Sequence, residues 1–299
     1  MRIRRRDALK EGQAIVTSTS LDSSAASIDA DWLRTLVDFA AVEHRVRERL
    51  LQLDADAALL RFFVQYASWN GAFAGGVAAL TSLVSRQRDL FREPGYPRAA
   101  SDRANYIASF FFDAARDEYD DHINPERDSH RCMAQASLIA MREHLGLPPE
   151  LLDEPEPPAL QALNDGVLDG YTGVRAGAAG SSAQVFAAIG YHLGSELLAD
   201  REFSLLDEHL RGRRAALFEH LKRTTVPLAG GTHRCYAWVG VHSGHGGGVE
   251  ADHFDHACAG ARLALRYLTT GDPAAARAAL AAGFRAFDAD HASFFAIGG

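Results

Sequence analysis

The amino-acid sequence predicts an all-α protein, a single helical bundle of about seven to nine helices. Apolar residues recur at helical spacing in one long segment after another, and Ser, Asp, Gly and Pro stand where helices would begin or end. No segment alternates apolar and polar residues as a half-exposed strand would. With 299 residues, of which 47% are hydrophobic, the chain can bury a substantial core.

Most helical segments of the first half have a capping residue or a breaking residue at one end. They are 31–53, with Asp29 or Asp31 as cap; 62–84, which is uncharged; 101–124, with Ser101 or Asp102 as cap and Pro125 as stop; and 129–148, which ends near Gly146. The segments of the second half are 158–177, 181–212, 204–223, 252–270 and, after Asp272, 274–295. A glycine-rich stretch at 244–248 is expected to form a mobile entry loop that orders with the following helix when iron and substrate bind.

Residues 1–28 are polar and rich in Ser and Thr, so we expect a disordered tail before a single domain over 29–299. The uncharged segment 62–84 is long enough to cross a bilayer. It contains Gln65, Asn70 and several glycines, however, and these favour a helix buried inside the domain. We therefore predict no contact with a membrane.

The charge and cysteine content exclude some classes of function. The net charge of -8 argues against a broad nucleic-acid-binding surface, because the one basic cluster is the short RIRRR at the N-terminus. That cluster is not followed by an apolar run, so it does not indicate a signal peptide. Three widely spaced cysteines fit a reducing cytoplasm and form no CxxC zinc motif.

Carboxylate and imidazole side chains fall on the apolar faces of two helices. Glu118 continues the face of Ile107 and Phe111, with His122 one turn later, and His130 opens the next helix on its apolar face. Glu196 shares a stripe with Val185, Ile189 and Leu193, and His192 lies one turn before it. A carboxylate on such a stripe is unfavourable unless it is paired or binds a metal.

A third helix follows the histidine-rich stretch VHSGHGGGVEADHFDHACA. Asp252 and His256 lie one turn apart on the face that Leu263 and Tyr267 extend, His253 lies at the edge of that face, and Asp255 points away from it. Each histidine taken alone is more often a hydrogen-bonded core residue. Three helices with the same inward chemistry, however, match the way helical bundles build dimetal sites. Imidazole with carboxylate suits iron or manganese, and zinc stays open on ligand type.

The order of these motifs resembles that of the heme-oxygenase-like diiron oxidases and oxygenases, an all-α family related in fold to heme oxygenase and to TenA-type thiaminases. The motifs are ARDEYDDHINPERDSHRCM, AAIGYHLGSELLADREF and EADHFDHACAGARLAL. The resemblance implies that the metal ligands are Glu118, His130 or His122, Glu196, Asp252 and His256. Many members have another histidine one turn before the late aspartate, and this chain has Gly248 at that position. His253 or His245 could serve in place of the missing histidine. Glu43 is a candidate for the sixth ligand.

The resemblance further implies two Fe(II) ions per chain, O2 as co-substrate and an external electron donor. The first expectation is N-oxygenation of an amine or amino acid in specialised metabolism, by a cytoplasmic protein that is monomeric or homodimeric. The second is oxidative C–C cleavage or desaturation of an amino acid or fatty acid. Tyr191, Trp69 and Tyr66 are the predicted lining of the substrate pocket.

Three alternatives accompany this interpretation. A heme enzyme would need an early axial histidine, and His44 lies in a segment that is predicted to face solvent. A thiaminase-like hydrolase would need a cysteine nucleophile, for which Cys132 and Cys258 are the candidates. A non-enzymatic ligand-binding or scaffold bundle would keep inward Glu and His only as internal hydrogen-bonded pairs.

Overall fold

Helices dominate the computed structural model, which describes residues 28–119, 129–177, 181–243 and 249–297. The helices are α1 Ala30–Arg34, α2 Phe39–Leu51, α3 Asp56–Gly71, α4 Phe73–Ser85, α5 Arg98–Ser101, α6 Ala104–Glu118, α7 His130–His144, α8 Pro158–Tyr171, α9 Ser181–Arg213, α10 Ala215–Arg223, α11 Ala237–His242, α12 Val249–Arg266 and α13 Pro273–Phe295. A 3-10 turn spans Pro149–Leu152. The prediction of an all-α protein is confirmed.

Two of the predicted helices are interrupted. The 31–53 segment divides into α1 and α2 because the Asp38 side chain accepts hydrogen bonds from the backbone N–H groups of Ala40 and Ala41 and so caps a new helix. The 62–84 segment divides at Ala72, which follows the weak helix former Gly71. In the described part of the chain, no helix combines the length and the apolar character that a bilayer crossing requires.

A short β-hairpin joins α10 to α11, and the periodicity of the sequence did not predict it. Its strands, β1 Thr225–Leu228 and β2 Gly231–Arg234, pair antiparallel. Ala229 and Gly230 connect them with φ angles of 51° and 83°, the left-handed backbone of a tight two-residue turn. Four residues per strand, one of them proline, are too few to show alternation.

The 33-residue helix α9 is the central element of the fold. It contacts α2, α4, α8, α10, α11, α12 and α13, with its longest interface against α13. The two backbones meet at glycines: a Cβ placed on Gly190 would lie 1.9 Å from the carbonyl oxygen of Leu280, and one on Gly283 would lie 1.9 Å from that of Ala187. This contact fixes the position of α9 along its own axis and its rotation about that axis.

The buried side chains form one contiguous cluster that runs from Leu33 in α1 to Phe294 in α13. Ile28, which was assigned to the predicted tail, is itself fully buried, and its carbonyl accepts a hydrogen bond of 2.7 Å from Arg262. The rest of that predicted tail, residues 1–27, lies outside the described residues. Ile28 therefore belongs to the core and not to the predicted tail.

Substitution of either crossing glycine should destabilise the protein. Gly190→Ala or Gly283→Ala must push α9 and α13 apart, and overpacking of this kind costs about 1–3 kcal/mol or more. Gly212→Ala, on the same helix with no neighbouring atom within 4 Å of the added Cβ, should be neutral or stabilise by roughly 0.5–1 kcal/mol. Thermal unfolding followed by circular dichroism gives the melting temperature of each of the three variants. Equal melting temperatures for the three variants would show that the crossing is not tight.

Candidate metal centre

The carboxylate of Glu196 lies between imidazoles from two helices. His192 and Glu196 are one turn apart on α9, and both are buried, as their place on an apolar stripe predicts. The Nδ1 atom of His192 is 3.4 Å from Oε1 of Glu196, and the Nδ1 atom of His253, on α12, is 3.9 Å from Oε2. Each oxygen of the buried carboxylate therefore faces a different imidazole.

A second carboxylate–imidazole pair joins the end of α6 to the start of α7. Glu118 is the last residue of α6, and its Oε1 atom is 3.3 Å from Nδ1 of His130. Ser129 caps α7 by accepting a hydrogen bond from the backbone N–H of Cys132, which fixes His130 at the first helical position. The structure thus brings Glu118 to His130, one of the two histidines that the sequence left open.

Glu118, His130 and Glu196 line one cavity of about 620 Å³. Its polar lining also includes Ser68, Asn70, Ser129, Arg131, Asn164, Ser195 and His242, and its larger apolar side chains are Phe73, Val77, Tyr171, Phe203 and Trp238. This volume and this mixture of apolar walls with a few polar groups are typical of a small-molecule site. The cavity connects the two carboxylate–imidazole pairs.

His242 is a cavity residue that the sequence reasoning did not assign. Its ring lies 4.4 Å from that of His130 and stacks on Phe203 with 4.6 Å between ring centroids. Its Nδ1–H donates to the carbonyl oxygen of Trp238, so the lone pair of the neutral ring is on Nε2. This tautomer is the one that a backbone carbonyl fixes in many metal-binding histidines. Its position in the stretch VHSGHGGG was the only signal in the sequence.

The other candidates on α12 are placed differently from His253. His256 lies 3.8 Å from Asp113 of α6 and packs edge-on against Phe110, so its ring meets α6, whereas that of His253 meets Glu196. Asp255 is exposed, in agreement with its predicted outward position. The side chain of Asp252 lies outside the described residues, as do His122, His245 and the glycine-rich loop at 244–248.

The three aromatic residues predicted to line the pocket are core residues instead. Tyr66, Trp69 and Tyr191 are fully buried, and they are not among the residues that line this cavity. Trp69 stacks on Phe294 with ring centroids 4.5 Å apart, and the hydroxyl groups of Tyr66 and Tyr191 donate to Glu202 and Asp290 at 2.9 Å. Their helical spacing marked the face that is buried against other helices.

The early-helix candidates also have other roles. Glu43 accepts two hydrogen bonds, of 2.7 and 2.8 Å, from Arg201, and this contact holds the pKa of Glu43 below its ordinary value. Glu43 does not line the cavity. His44 is exposed, which leaves a heme without an axial ligand at that position.

The donors around the cavity fit iron in their chemistry, since they are carboxylate oxygens and imidazole nitrogens and no thiol lines the cavity. Over residues 28–119, 129–177, 181–243 and 249–297, no three His, Cys, Asp or Glu side chains gather closely enough to hold a metal by themselves. The described side chains therefore supply pairs of donors. A complete site needs further donors, for which the side chains of Asp252 and His122 are candidates.

Comparisons of the chain with protein-family models, with curated proteins and with solved structures found no match in any of the three.

Proposed function

We propose that the protein is a non-heme diiron, O2-dependent oxygenase that oxygenates a nitrogen atom of a small substrate, on a fold of the heme-oxygenase type. One observation carries this proposal: two carboxylate–imidazole pairs, from α6, α7, α9 and α12, flank a single cavity. Carboxylates kept only for structural pairing have no need of a cavity beside them. Bundles that bind two metals place Glu and His from several helices in this way.

Glu118, His130, Glu196 and His253 would hold the metal, with Asp252 and His256 or His122 as further ligands. Iron bound there supplies the capacity to reduce and activate O2. His192 is fully buried behind Glu196, outside the cavity lining, and orients the Glu196 carboxylate.

The other cavity residues prepare the site for an amine. Phe73, Val77 and Trp238 give the cavity apolar walls, which suit the hydrocarbon part of a small substrate. The Nε2 atom of His242 carries a lone pair and can accept the proton that an ammonium group must lose before its nitrogen reacts.

Iron content tests the proposal directly. Anaerobic Fe(II) loading of the purified protein should give two irons per chain, whereas Glu196→Gln should bind less iron and lose O2 consumption while it stays folded. A neutral amide is a poor iron ligand and cannot balance the charge of the metal. Glu208→Gln, on the same helix but in a half-exposed ion pair with Arg47, is the matched control. Full iron content in the Glu196 variant would refute the assignment.

The three candidate residues of α12 can be separated by substitution. His253→Ala should lower the iron content most, because His253 lies 3.9 Å from Glu196, and His256→Ala should lower it less, because that ring lies 3.8 Å from Asp113. Asp255→Ala should retain full iron content, because this side chain points away from the core. Metal analysis of the three purified variants gives the answer. Iron content unchanged in both histidine variants would remove α12 from the site.

The thiol chemistry of a thiaminase-like hydrolase finds no support around the cavity. Neither Cys132 nor Cys258 lines it. Burial raises the pKa of Cys258 to about 12 and that of Cys235 to about 11, so both thiols stay protonated at neutral pH. A protonated thiol is a poor nucleophile, and a cysteine-dependent reaction would have to use the part-exposed Cys132.

Thiol titration checks this difference. One equivalent of thiol, from Cys132, should react quickly with an aromatic disulfide reagent at mildly alkaline pH, and three should react after denaturation. Raising the pH toward 11 should speed the reaction of Cys235 before that of Cys258. Cys132→Ser should abolish the fast phase. A fast phase that survives this substitution would mean that a buried thiol is accessible.

A further inference from the structure

Arg131 places a cationic group in the wall of the cavity. It is the second residue of α7, it lines the cavity, and it is also exposed to solvent, so it stands where the cavity meets bulk water. Its Nη1–H donates a 2.9 Å hydrogen bond to the carbonyl oxygen of Ala67. Among the described residues, no carboxylate forms an ion pair with it, and its Nε and Nη2 donors make no hydrogen bond.

Other arginines of the chain are engaged differently. Arg61, Arg175 and Arg201, for example, each pair with a carboxylate. A guanidinium offers five N–H donors in a planar fork, which matches the two oxygens of a carboxylate. In Arg131 one donor is used to fix the group against α3, and the others are available to a ligand.

We infer that Arg131 binds a carboxylate of the substrate, so that the substrate of the proposed oxygenase is a zwitterionic amino acid; this inference rests on the function proposed above. Arg131 is the one Lys or Arg among the described cavity residues, and Glu118 and Glu196 face the same space. A single guanidinium with unused donors matches the two oxygens of one carboxylate and balances its single charge. The carboxylate then lies at Arg131, and the amine lies toward the side of the cavity that Glu118 and Glu196 line.

A purely structural role is the competing explanation, because Arg131 contacts the C-terminal end of α3. A cation in that position stabilises the helix. Gly71 permits this approach, since a Cβ at residue 71 would lie 3.1 Å from Nη1 of Arg131. A structural role predicts an effect of substitution on stability, whereas a binding role predicts an effect on ligand preference.

Binding of a matched set of ligands distinguishes the two. The probes are ω-amino acids of increasing chain length, each with the corresponding alkylamine, alkanoate and aminoalkyl phosphate, measured by calorimetry on the 299-residue chain as purified and after anaerobic Fe(II) loading. At the best chain length we expect the amino acid to bind about 10- to 100-fold more tightly than the alkylamine, the range for a charged hydrogen-bonded contact. Arg131→Gln should remove that preference, and Arg131→Lys should retain part of it.

Arg142→Gln is the control, because it removes the same charge from the same helix at an ion pair with Glu143 outside the cavity. It should leave the preference unchanged. A preference that persists in Arg131→Gln, tighter binding of the phosphate, or no binding by any amino acid would overturn the inference. A preference that depends on Arg131 in protein that binds no iron would support the carboxylate site and refute the diiron proposal, so the two failures are distinguishable.

Discussion

The close crossing of α9 and α13 is the contact on which the rest of the structure depends. Gly190 and Gly283 allow the two backbones to touch, and Gly194 continues the contact against Phe287 one turn later. A helix held this tightly cannot rotate to bring its polar residues to solvent. His192 and Glu196 therefore stay inside the protein, and the rest of the bundle must supply partners for them.

Buried carboxylates recur around the same helix, but their surroundings differ. Glu202 pairs with His291 at 2.9 Å and accepts a hydrogen bond from Tyr66, and Asp290 is held by Arg175 and Tyr191. These groups are enclosed by aromatic side chains and do not line the cavity. Glu196 has imidazole partners and also faces the cavity. Burial and pairing are common to all three carboxylates. Contact with the cavity distinguishes Glu196, which is available for chemistry, from Glu202 and Asp290, which stabilise the core.

Much of this arrangement could be predicted from the sequence, because helical periodicity is a long-range signal. It identified α9 as buried and Glu196 as inward, and the spacing of Glu118 placed that residue near His130 or His122. Periodicity was uninformative where elements are short: α11 has six residues, so helical spacing did not mark His242 as a cavity residue. It also ranked His256 above His253 on α12, although neighbouring positions differ by only about 100° and helix packing decides which one meets Glu196. The helical spacing of Tyr66, Trp69 and Tyr191 indicated that they are buried, but it carried no information on which residues line the cavity.

The crossing glycines and two residues of the candidate centre share one short piece of chain. Residues 190–196 read GYHLGSE, in which the glycines face α13 while the histidine and the glutamate are directed to the candidate centre. Substitution of either glycine would disturb the helix crossing, and substitution of the histidine or the glutamate would disturb the site. The pattern Gly-x-His-x-Gly-x-Glu is therefore expected to be conserved as a whole in relatives of this chain. Distant relatives with little overall identity could be found by searching for this pattern within a long predicted helix.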